Sequence, residues 1–254
     1  MIYKSYADLA RDVYTFSNRC PRFDTVVGIP RSGMLVAGML AKIWDVPACS
    51  VESFTGDESK ALLIDDSYGT GATMRKYAGR AFKRAAIYST IRADGILHCY
   101  VEETPLPRLF EWNIFRHPHW LLSSCWDVDG LLCRDPTDEE NDDGPRYAEF
   151  LRTATPWVKP ANRVGAIVTA RFEKYRPQTQ EWLARNGIEY NCLIMSKRSS
   201  VADRRGNHAV DKADYYGGKP WKLFYESDPD QAAKIHAITR KPVYCPASGT
   251  MHHV

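Results

Sequence analysis

The stretch from Ala61 to Met74 constrains the fold of this chain more than any other part of the sequence. It begins with four consecutive apolar residues, Ala61 to Ile64, which is typical of a strand covered on both faces in a parallel sheet. Asp65 and Asp66 follow directly, at the strand end where open α/β sheets bind their ligands. A turn of small residues then opens a helix, and the free N–H groups at its start suit an anion. The stretch therefore predicts a site for a ligand with vicinal hydroxyls beside a phosphate.

A similar arrangement stands earlier in the chain. Residues 25–29 have the pattern of a short buried strand, and residues 34–44 that of a helix. A strand, a tight turn and a helix N-terminus again indicate an anion pocket. The basic residue of this turn is Arg31.

Hydrophobic spacing predicts the remaining elements. In the first half of the chain we expect helices over 6–18 and 75–83 and strands over 47–52, 85–91 and 96–101. In the second half we expect helices over 175–186 and 231–239, strands over 121–126, 165–169, 189–195 and 242–245, and a frayed tail. This alternation is typical of α/β folds with parallel sheets.

The stretch from Ala61 resembles the phosphoribosyl-pyrophosphate (PRPP) signature of type I phosphoribosyltransferases. In both, an apolar strand is followed by two aspartates, three further residues and Thr-Gly-x-Thr. The resemblance implies that Asp65 and Asp66 bind the ribose hydroxyls of PRPP, and that the loop after them surrounds the 5-phosphate. It also implies Mg²⁺-dependent transfer of ribose 5-phosphate to a nitrogenous base, with release of pyrophosphate. The implied PRPP-binding residues are Arg31, Ser32, Gly33, Asp65, Asp66, Ser67, Tyr68, Gly69, Thr70, Gly71, Ala72 and Thr73.

Two features differ from that family's pattern. Residues 53–60 form a short polar segment where the family usually has a long flexible loop that closes over the site. Gly69 stands where some purine enzymes carry a carboxylate, so no general base for a purine nitrogen is evident. The proline-rich region over 102–120 could supply the hood for the base, with Phe110 or Trp112 stacking on it, or it could simply pack between domains.

A second catalytic pattern follows the apolar residues 121–126. Asp127 and Asp129 stand at the predicted strand end, and Gly130 permits the backbone turn that would bring both carboxylates to one side. Two such carboxylates can bind Mg²⁺, one acting as nucleophile and the other as general acid or base. Downstream, one predicted strand ends in Thr169, and a later one ends in acidic residues.

These elements, in this order, resemble the motifs of the haloacid-dehalogenase (HAD) superfamily. The resemblance implies that Asp127 is the nucleophile that forms an aspartyl-phosphate and that Asp129 is the acid or base. Lys212 would neutralise the developing charge, with Lys219 as a competing candidate. The implied phosphate-binding residues are Thr169, Ala170, Arg171 and Lys212, and the implied Mg²⁺ ligands are Asp127, Asp129, Glu226 and Asp228. The acidic run over 135–143 is more typical of a solvated loop than of a metal site, and the cap that it belongs to is short.

Composition excludes several classes of function. The net charge of +3 over 254 residues is too small and too dispersed to predict binding to nucleic acid or to a membrane surface. No apolar run reaches transmembrane length and the first twelve residues lack the core of a signal peptide, so we expect a cytoplasmic protein. Seven cysteines without a Cys-x-x-Cys pair are expected to be reduced and mostly buried.

The expected fold class is α/β with two Rossmann-like parallel-sheet domains. These are a phosphoribosyltransferase-like domain over 1–116 and a HAD-like phosphohydrolase domain with a minimal cap over 117–254. The preferred hypothesis is a bifunctional enzyme of nucleotide metabolism and nucleoside salvage, whose small-molecule partners are PRPP, a nitrogenous base and a phosphomonoester. The alternative is a module that binds PRPP or a nucleotide without turnover and regulates the phosphatase or a partner, which the short segment 53–60 would suit. A homodimer is left open.

Overall fold

The computed structural model of the chain describes residues 1–93, 96–198 and 206–253. The chain divides into two compact units, Met1–Asn113 and Ile114–Val254. Each unit contains its own parallel sheet, with helices between the strands, so the predicted α/β class is confirmed. The assignment of the units to a transferase and a phosphatase, with a boundary between residues 116 and 117, stays a prediction.

The first unit is built on a five-stranded parallel sheet with strand order β3-β2-β4-β5-β6, and a separate parallel pair joins β1 to β7. Two 3₁₀ turns lie at Glu58–Lys60 and Glu111–Asn113. The described elements of this unit are β1 (Ile2–Lys4), α1 (Tyr6–Arg19), β2 (Thr25–Gly28), α2 (Ser32–Trp44), β3 (Ala48–Ser50), β4 (Ala61–Tyr68), α3 (Ala72–Arg75), β5 (Lys83–Ser89), β6 (Glu102–Glu103) and β7 (Arg108–Phe110).

Helix α1 shows how local sequence determines where a helix begins. The Ser5 hydroxyl accepts a hydrogen bond from the Asp8 amide, and the Asp8 carboxylate accepts one from the Ser5 amide. This capping box satisfies two donors that the first turn would otherwise leave free. Leu9, Val13 and Phe16 are fully buried on one face of the helix and pack in one core with α2. The predicted helix is confirmed.

Strand β4 is longer than the sequence predicts. It continues to Tyr68 because Asp65, Ser67 and Tyr68 pair with Ala86, Tyr88 and Ser89 of β5. Asp65 and Asp66 therefore lie inside the strand rather than beyond its end, and both are buried.

One other prediction for the first unit is wrong, and another is confirmed only in part. The helix predicted over 75–83 is absent, because α3 ends at Arg75 and turns follow. Phe82 is instead buried next to Phe54, with their ring centroids 5.4 Å apart. The segment predicted as a strand over 96–101 lies beside β5 and pairs with it irregularly. Cys99 forms a bridge with Ala85, and the amides of His98 and Val101 donate to backbone carbonyls of β5 at 2.7 and 2.9 Å.

The second unit is built on a sheet with strand order β10-β9-β8-β11-β12-β13, in which the first five strands are parallel and β13 runs antiparallel to β12. A 3₁₀ turn lies at Glu173–Tyr175. The described elements are α4 (Pro118–Leu122), β8 (Ser124–Trp126), α5 (Pro145–Thr153), β9 (Val164–Phe172), α6 (Arg176–Arg185), β10 (Tyr190–Ser196), α7 (His208–Gly217), β11 (Leu223–Tyr225), α8 (Pro229–Thr239), β12 (Val243–Cys245) and β13 (Thr250–His252).

The register of β8 and β11 determines what meets at the edge of this sheet. Cys125 pairs with Phe224, and Trp126 pairs with Tyr225. Because the strands are parallel, the residues that follow them, Asp127 and Glu226, emerge side by side.

Two predictions for the second unit need correction, and one helix was missed. The strand predicted over 121–126 is shorter, because Pro118 starts the helical turn α4, which runs to Leu122. The tail is not frayed, since β13 pairs with β12 along its whole length. Helix α5 was not predicted; its Tyr147, Phe150 and Leu151 are buried at helical spacing.

The seven cysteines are free thiols, and four of them are buried: Cys20, Cys125, Cys133 and Cys245. Among the described residues, no helix combines the length and the apolar character needed to cross a bilayer.

Candidate functional site

A cavity of about 330 Å³ opens at the carboxyl ends of β2 and β4 in the first unit. Of the twelve residues that the sequence assigns to PRPP, eleven line it, and Gly33 does not. The complete lining is Pro30, Arg31, Ser32, Asp65, Asp66, Ser67, Tyr68, Gly69, Thr70, Gly71, Ala72, Thr73, Met74 and Arg108. The tertiary structure therefore brings two separate sequence motifs to one cavity.

Two glycines give this cavity its shape. A Cβ on Gly33 would lie 2.6 Å from the carbonyl oxygen of Ile64 and 3.1 Å from a carboxylate oxygen of Asp65, so only glycine lets α2 begin this close to β4. Gly71 has a φ of +76° and lies against the hydroxyl of Tyr68, so a side chain there would be both strained and blocked. Gly33 therefore allows the close approach of α2 to β4, although it does not line the cavity itself.

Asp65 and Asp66 differ in their surroundings. Burial, and then the neighbouring Asp66, raise the pKa of Asp65 to about 8, so that this carboxyl is mostly protonated at pH 7. Its Oδ1 accepts a hydrogen bond of 2.9 Å from the Asp66 amide. The Asp66 carboxylate accepts a 2.6 Å hydrogen bond from the indole N–H of Trp112 and a longer one, 3.5 Å, from Asn113. The pair thus offers sugar hydroxyls both a donor and an acceptor.

Trp112 and Phe110 have a role that the sequence did not indicate. Their rings stack on each other, with centroids 4.8 Å apart and an interplanar angle of 8°, and Trp112 also stacks on Tyr88. Neither residue lines the cavity. The stack instead orients the Trp112 indole towards Asp66, and Asn113 exchanges hydrogen bonds with Ser32 at 3.2–3.3 Å.

Arg108 is a site residue that sequence reasoning missed. It lines the cavity, and its guanidinium donates to the carbonyl and the hydroxyl of Thr104 at 2.9 and 3.0 Å. Burial lowers its pKa, against the opposing effect of Asp66. A basic residue at the start of a strand near a proline-rich turn was the available signal.

The segment over 53–60 is anchored. The Glu58 carboxylate accepts hydrogen bonds from the Arg80 guanidinium at 2.6 Å and from the Ala81 amide at 2.7 Å. Together with the packing of Phe54 on Phe82, these contacts join the segment to residues 80–82.

The second unit has a larger cavity, of about 560 Å³, at the edge where Asp127 and Glu226 emerge. It gathers every residue that the sequence assigns to the phosphatase, and it adds others. The complete lining is Asp127, Asp129, Gly130, Asp135, Pro136, Asn141, Tyr147, Trp157, Thr169, Ala170, Arg171, His208, Lys212, Glu226, Ser227, Asp228, Pro229, Gln231 and Ala247. Trp157, Tyr147 and Gln231 were not predicted, since they come from segments without a catalytic motif.

Lys212 lies at the centre of this cavity. Its ammonium group donates to Asp127 and to Glu226, both at 2.6 Å, and to Gln231 at 3.1 Å. Burial alone would lower the pKa of Lys212, but the carboxylates of Asp127 and Glu226 hold it above its usual value. Burial also raises the pKa of Glu226, to about 7. The competing candidate, Lys219, is exposed and lies outside the lining.

Arg171 has a different partner from the one expected. We expected it to bind phosphate, whereas its buried guanidinium pairs with the Asp129 carboxylate at 2.6 and 3.0 Å. Burial opposes its charge, but Asp129 outweighs this effect and holds the pKa of Arg171 above its ordinary value. The hydroxyl of Thr169, also buried, accepts a hydrogen bond from the Arg171 amide at 3.3 Å.

The oxygen-rich lining has the chemistry that Mg²⁺ prefers, but four of its five carboxyl groups already have partners. Both oxygens of Asp129 contact Arg171. One oxygen of Asp127 and one of Glu226 accept hydrogen bonds from Lys212. Asp228 caps α8 by accepting from the Gln231 amide at 2.9 Å. Within the ranges that the structure describes, no three His, Cys, Asp or Glu side chains form a metal-binding group. This arrangement does not fit a ready-made metal site, and the Mg²⁺ ligands stay a prediction.

No family model and no curated protein matches this chain. Several solved structures are similar to part of it. The xanthine-guanine-hypoxanthine phosphoribosyltransferase of Helicobacter pylori is 16% identical over 44% of this chain and 93% of that chain, with a TM-score of 0.39. A purine phosphoribosyltransferase of Pyrococcus horikoshii is 19% identical over 44% of this chain and 92% of that chain, with a TM-score of 0.38.

The orotate phosphoribosyltransferase of Aeropyrum pernix is 16% identical over 39% of this chain and 70% of that chain, with a TM-score of 0.32. Each of these three alignments covers less than half of this chain. The HAD-like assignment of the second unit therefore stays a prediction from its motifs, and the function of both units is argued from their own residues.

Proposed function

We propose that the chain is a bifunctional enzyme that transfers ribose 5-phosphate from PRPP to a nitrogenous base and hydrolyses a phosphomonoester. For the transferase, the supporting observation is the single cavity that joins Asp65 and Asp66 to the 69–73 loop and to Arg31. The two carboxyl groups bind the ribose hydroxyls, and the loop amides and the cations bind the phosphates. In the reaction, the bond from the anomeric carbon to pyrophosphate breaks, the bond to a base nitrogen forms, and the nitrogen loses its proton to solvent.

For the phosphatase, the supporting observation is the buried contact of Lys212 with Asp127. Lys212 donates a hydrogen bond to Asp127, the proposed nucleophile, and it lies where negative charge develops on the phosphoryl group. Asp127 attacks phosphorus, the ester P–O bond breaks, and the leaving oxygen takes a proton from solvent to give the alcohol. Water then attacks the aspartyl-phosphate, which releases phosphate and restores the Asp127 carboxylate. Asp129, which Arg171 holds in the same cavity, is the proposed general base for that water. Mg²⁺, if it binds, would neutralise phosphate charge, and no step above depends on it.

Two observations favour the second candidate, a regulatory module that binds PRPP or a nucleotide without turnover. The 53–60 segment is anchored through Glu58, so no mobile lid is evident among the described residues of this cavity. One oxygen of Asp66 is already taken by Trp112.

The test measures pyrophosphate release from PRPP with Mg²⁺ and a panel of purine, pyrimidine and pyridine bases, with phosphate release from monoesters followed in parallel. Pyrophosphate that appears with one base and is lost in Asp66→Ala supports the transferase and identifies its acceptor. Absence of turnover with every base, together with PRPP binding by calorimetry, favours the regulatory module. Near wild-type phosphate release by Asp127→Asn would overturn the assignment of the nucleophile.

A further inference from the structure

We propose that the monoester hydrolysed at Asp127 is a nucleoside monophosphate and that its nucleobase stacks on the indole of Trp157. This inference rests on the proposed phosphatase function and names the substrate class of the same site.

Trp157 differs from the other tryptophans of the chain in its exposure. It is 63% exposed, whereas Trp126 and Trp182 are fully buried and Trp44 and Trp120 nearly so. An indole is the largest side chain that a core can bury, and exposing it forfeits that stabilisation. Exposed aromatic rings are the usual platforms on which nucleobases stack. Trp157 lines the same cavity as Asp127, where a flat apolar surface can contact a substrate.

The backbone holds Trp157 at a defined position relative to the two aspartates. The amides of Leu132 and Cys133 both donate to the carbonyl of Val128, at 2.8 and 3.2 Å. The Trp157 amide donates in turn to the Leu132 carbonyl at 2.8 Å, and Pro156 forms an antiparallel bridge with Cys133. Two backbone hydrogen bonds therefore connect Trp157 to the residue between Asp127 and Asp129, so the indole is presented from a fixed support.

The size and polarity of the cavity fit a nucleoside. At about 560 Å³ it lies within the range of cavities that hold whole organic ligands, far beyond what a phosphate requires. Asn141, His208 and Gln231 add hydrogen-bonding groups to its wall. Such groups suit the hydroxyls of a sugar placed between the phosphate at Asp127 and a ring at Trp157.

The charge of the lining argues for a single phosphate. Five carboxyl groups line the cavity, and its two strongest cations, Lys212 and Arg171, are already paired with three of them. Burial, and then the nearby carboxylates, raise the pKa of Asp135, which shows the same excess of negative charge. The carboxylates would repel a second phosphate on the substrate, because the described lining residues include no further lysine or arginine to neutralise it. The five carboxyl groups are those of Asp127, Asp129, Asp135, Glu226 and Asp228.

The experiment compares substrates with and without a nucleobase. Phosphate release by the full chain is measured with adenosine or uridine 5′-monophosphate and with ribose 5-phosphate, in wild type, Trp157→Ala and Trp157→Phe. We expect kcat/KM of the wild type to favour the nucleotides by about tenfold or more, as base–aromatic stacking allows. Trp157→Ala should reduce that ratio to near one, and Trp157→Phe should retain most of it. Ile238→Ala, an exposed apolar residue outside the cavity, is the matched control and should keep the wild-type ratio.

Three outcomes would overturn the inference without overturning the phosphatase. These are a wild-type ratio near one, an equal loss on both substrates in Trp157→Ala, and a preference for phosphotyrosine over nucleotides. If no monoester is hydrolysed, the proposed function fails, and calorimetric titration with the nucleotides still decides the inference. Binding that Trp157→Ala abolishes and Trp157→Phe retains would support it, and equal binding or no binding would contradict it.

Discussion

The two units use the same element, paired carboxyl groups at the edge of a parallel sheet, in different electrostatic surroundings. In the first unit, Asp66 is held by the neutral donors Trp112 and Asn113, and Asp65 is mostly protonated at pH 7. In the second unit, buried cations hold the carboxylates, Lys212 against Asp127 and Arg171 against Asp129.

The difference determines what each pair can do. Carboxyl groups balanced by neutral donors and by protonation suit the binding of sugar hydroxyls, which need both donors and acceptors. Carboxylates that contact buried cations suit chemistry at a phosphoryl group, where negative charge develops. Four substitutions test this contrast.

The largest effect is expected for Lys212→Met. It would leave Asp127 and Glu226 buried without their cation, and removing one partner of a buried ion pair costs about 3–5 kcal/mol of unfolding free energy. Phosphate release should fall with it. Chemical denaturation at pH 8 measures the change, with Lys219→Met as the control that changes an exposed lysine nearby in sequence. A loss no larger than that of the control would show that the cation is not needed to hold these carboxylates.

Arg171→Lys should have the next largest effect. Lysine keeps the charge but loses the paired N–H groups that contact both oxygens of Asp129, which costs about 2–3 kcal/mol for a buried charged contact. Urea unfolding of this variant is compared with that of Arg163→Lys, whose pair with Glu189 is exposed on both sides and contributes little. Similar midpoints in both variants would contradict the claim that burial makes the Asp129 pair different.

Asp65→Asn should change how stability depends on pH. The pKa of Asp65 in the folded state, about 8, is above its unfolded value near 4, so between these values the folded state binds more protons than the unfolded state. The wild type therefore loses stability as the pH rises through this window, by up to about 1.4 kcal/mol per pH unit. Asp65→Asn removes this loss, so its unfolding free energy should be the flatter of the two from about pH 4 to pH 8. Parallel curves would mean that Asp65 is ionised in the fold.

The smallest effect is expected for Trp112→Phe, which keeps the ring stack and removes the N–H that contacts Asp66. PRPP binding measured by calorimetry should weaken about tenfold, the scale of one hydrogen bond to a charged group. Trp44→Phe is the control, since its indole N–H contacts the Ser17 carbonyl at 3.3 Å, away from the cavity. Tighter binding in Trp112→Phe would mean that the indole competes with the sugar for Asp66.

Local signals in the sequence predicted a large part of both sites. The helix over 6–18, the apolar residues 61–64 and the Asp-x-Asp-Gly segment each depend on neighbours in the chain, and the helix and the start of the strand lie where they were expected. The same reasoning failed over 75–83, where Phe82 is placed by its contact with Phe54. Strand β13 was missed because it depends on its pairing with β12.

The sequence by itself determined the two α/β units in outline, the residues of the loop after β4 and the order of the acidic motifs, because these follow from hydrophobic spacing and local turns. Only the tertiary structure decided the partners of those residues: Trp112 for Asp66, Arg171 for Asp129, and Lys212 rather than Lys219 for Asp127. It also placed Arg108 and Trp157 in the cavities. Such contacts join residues far apart in the chain, and they depend on strand register and on burial, which no local pattern specifies.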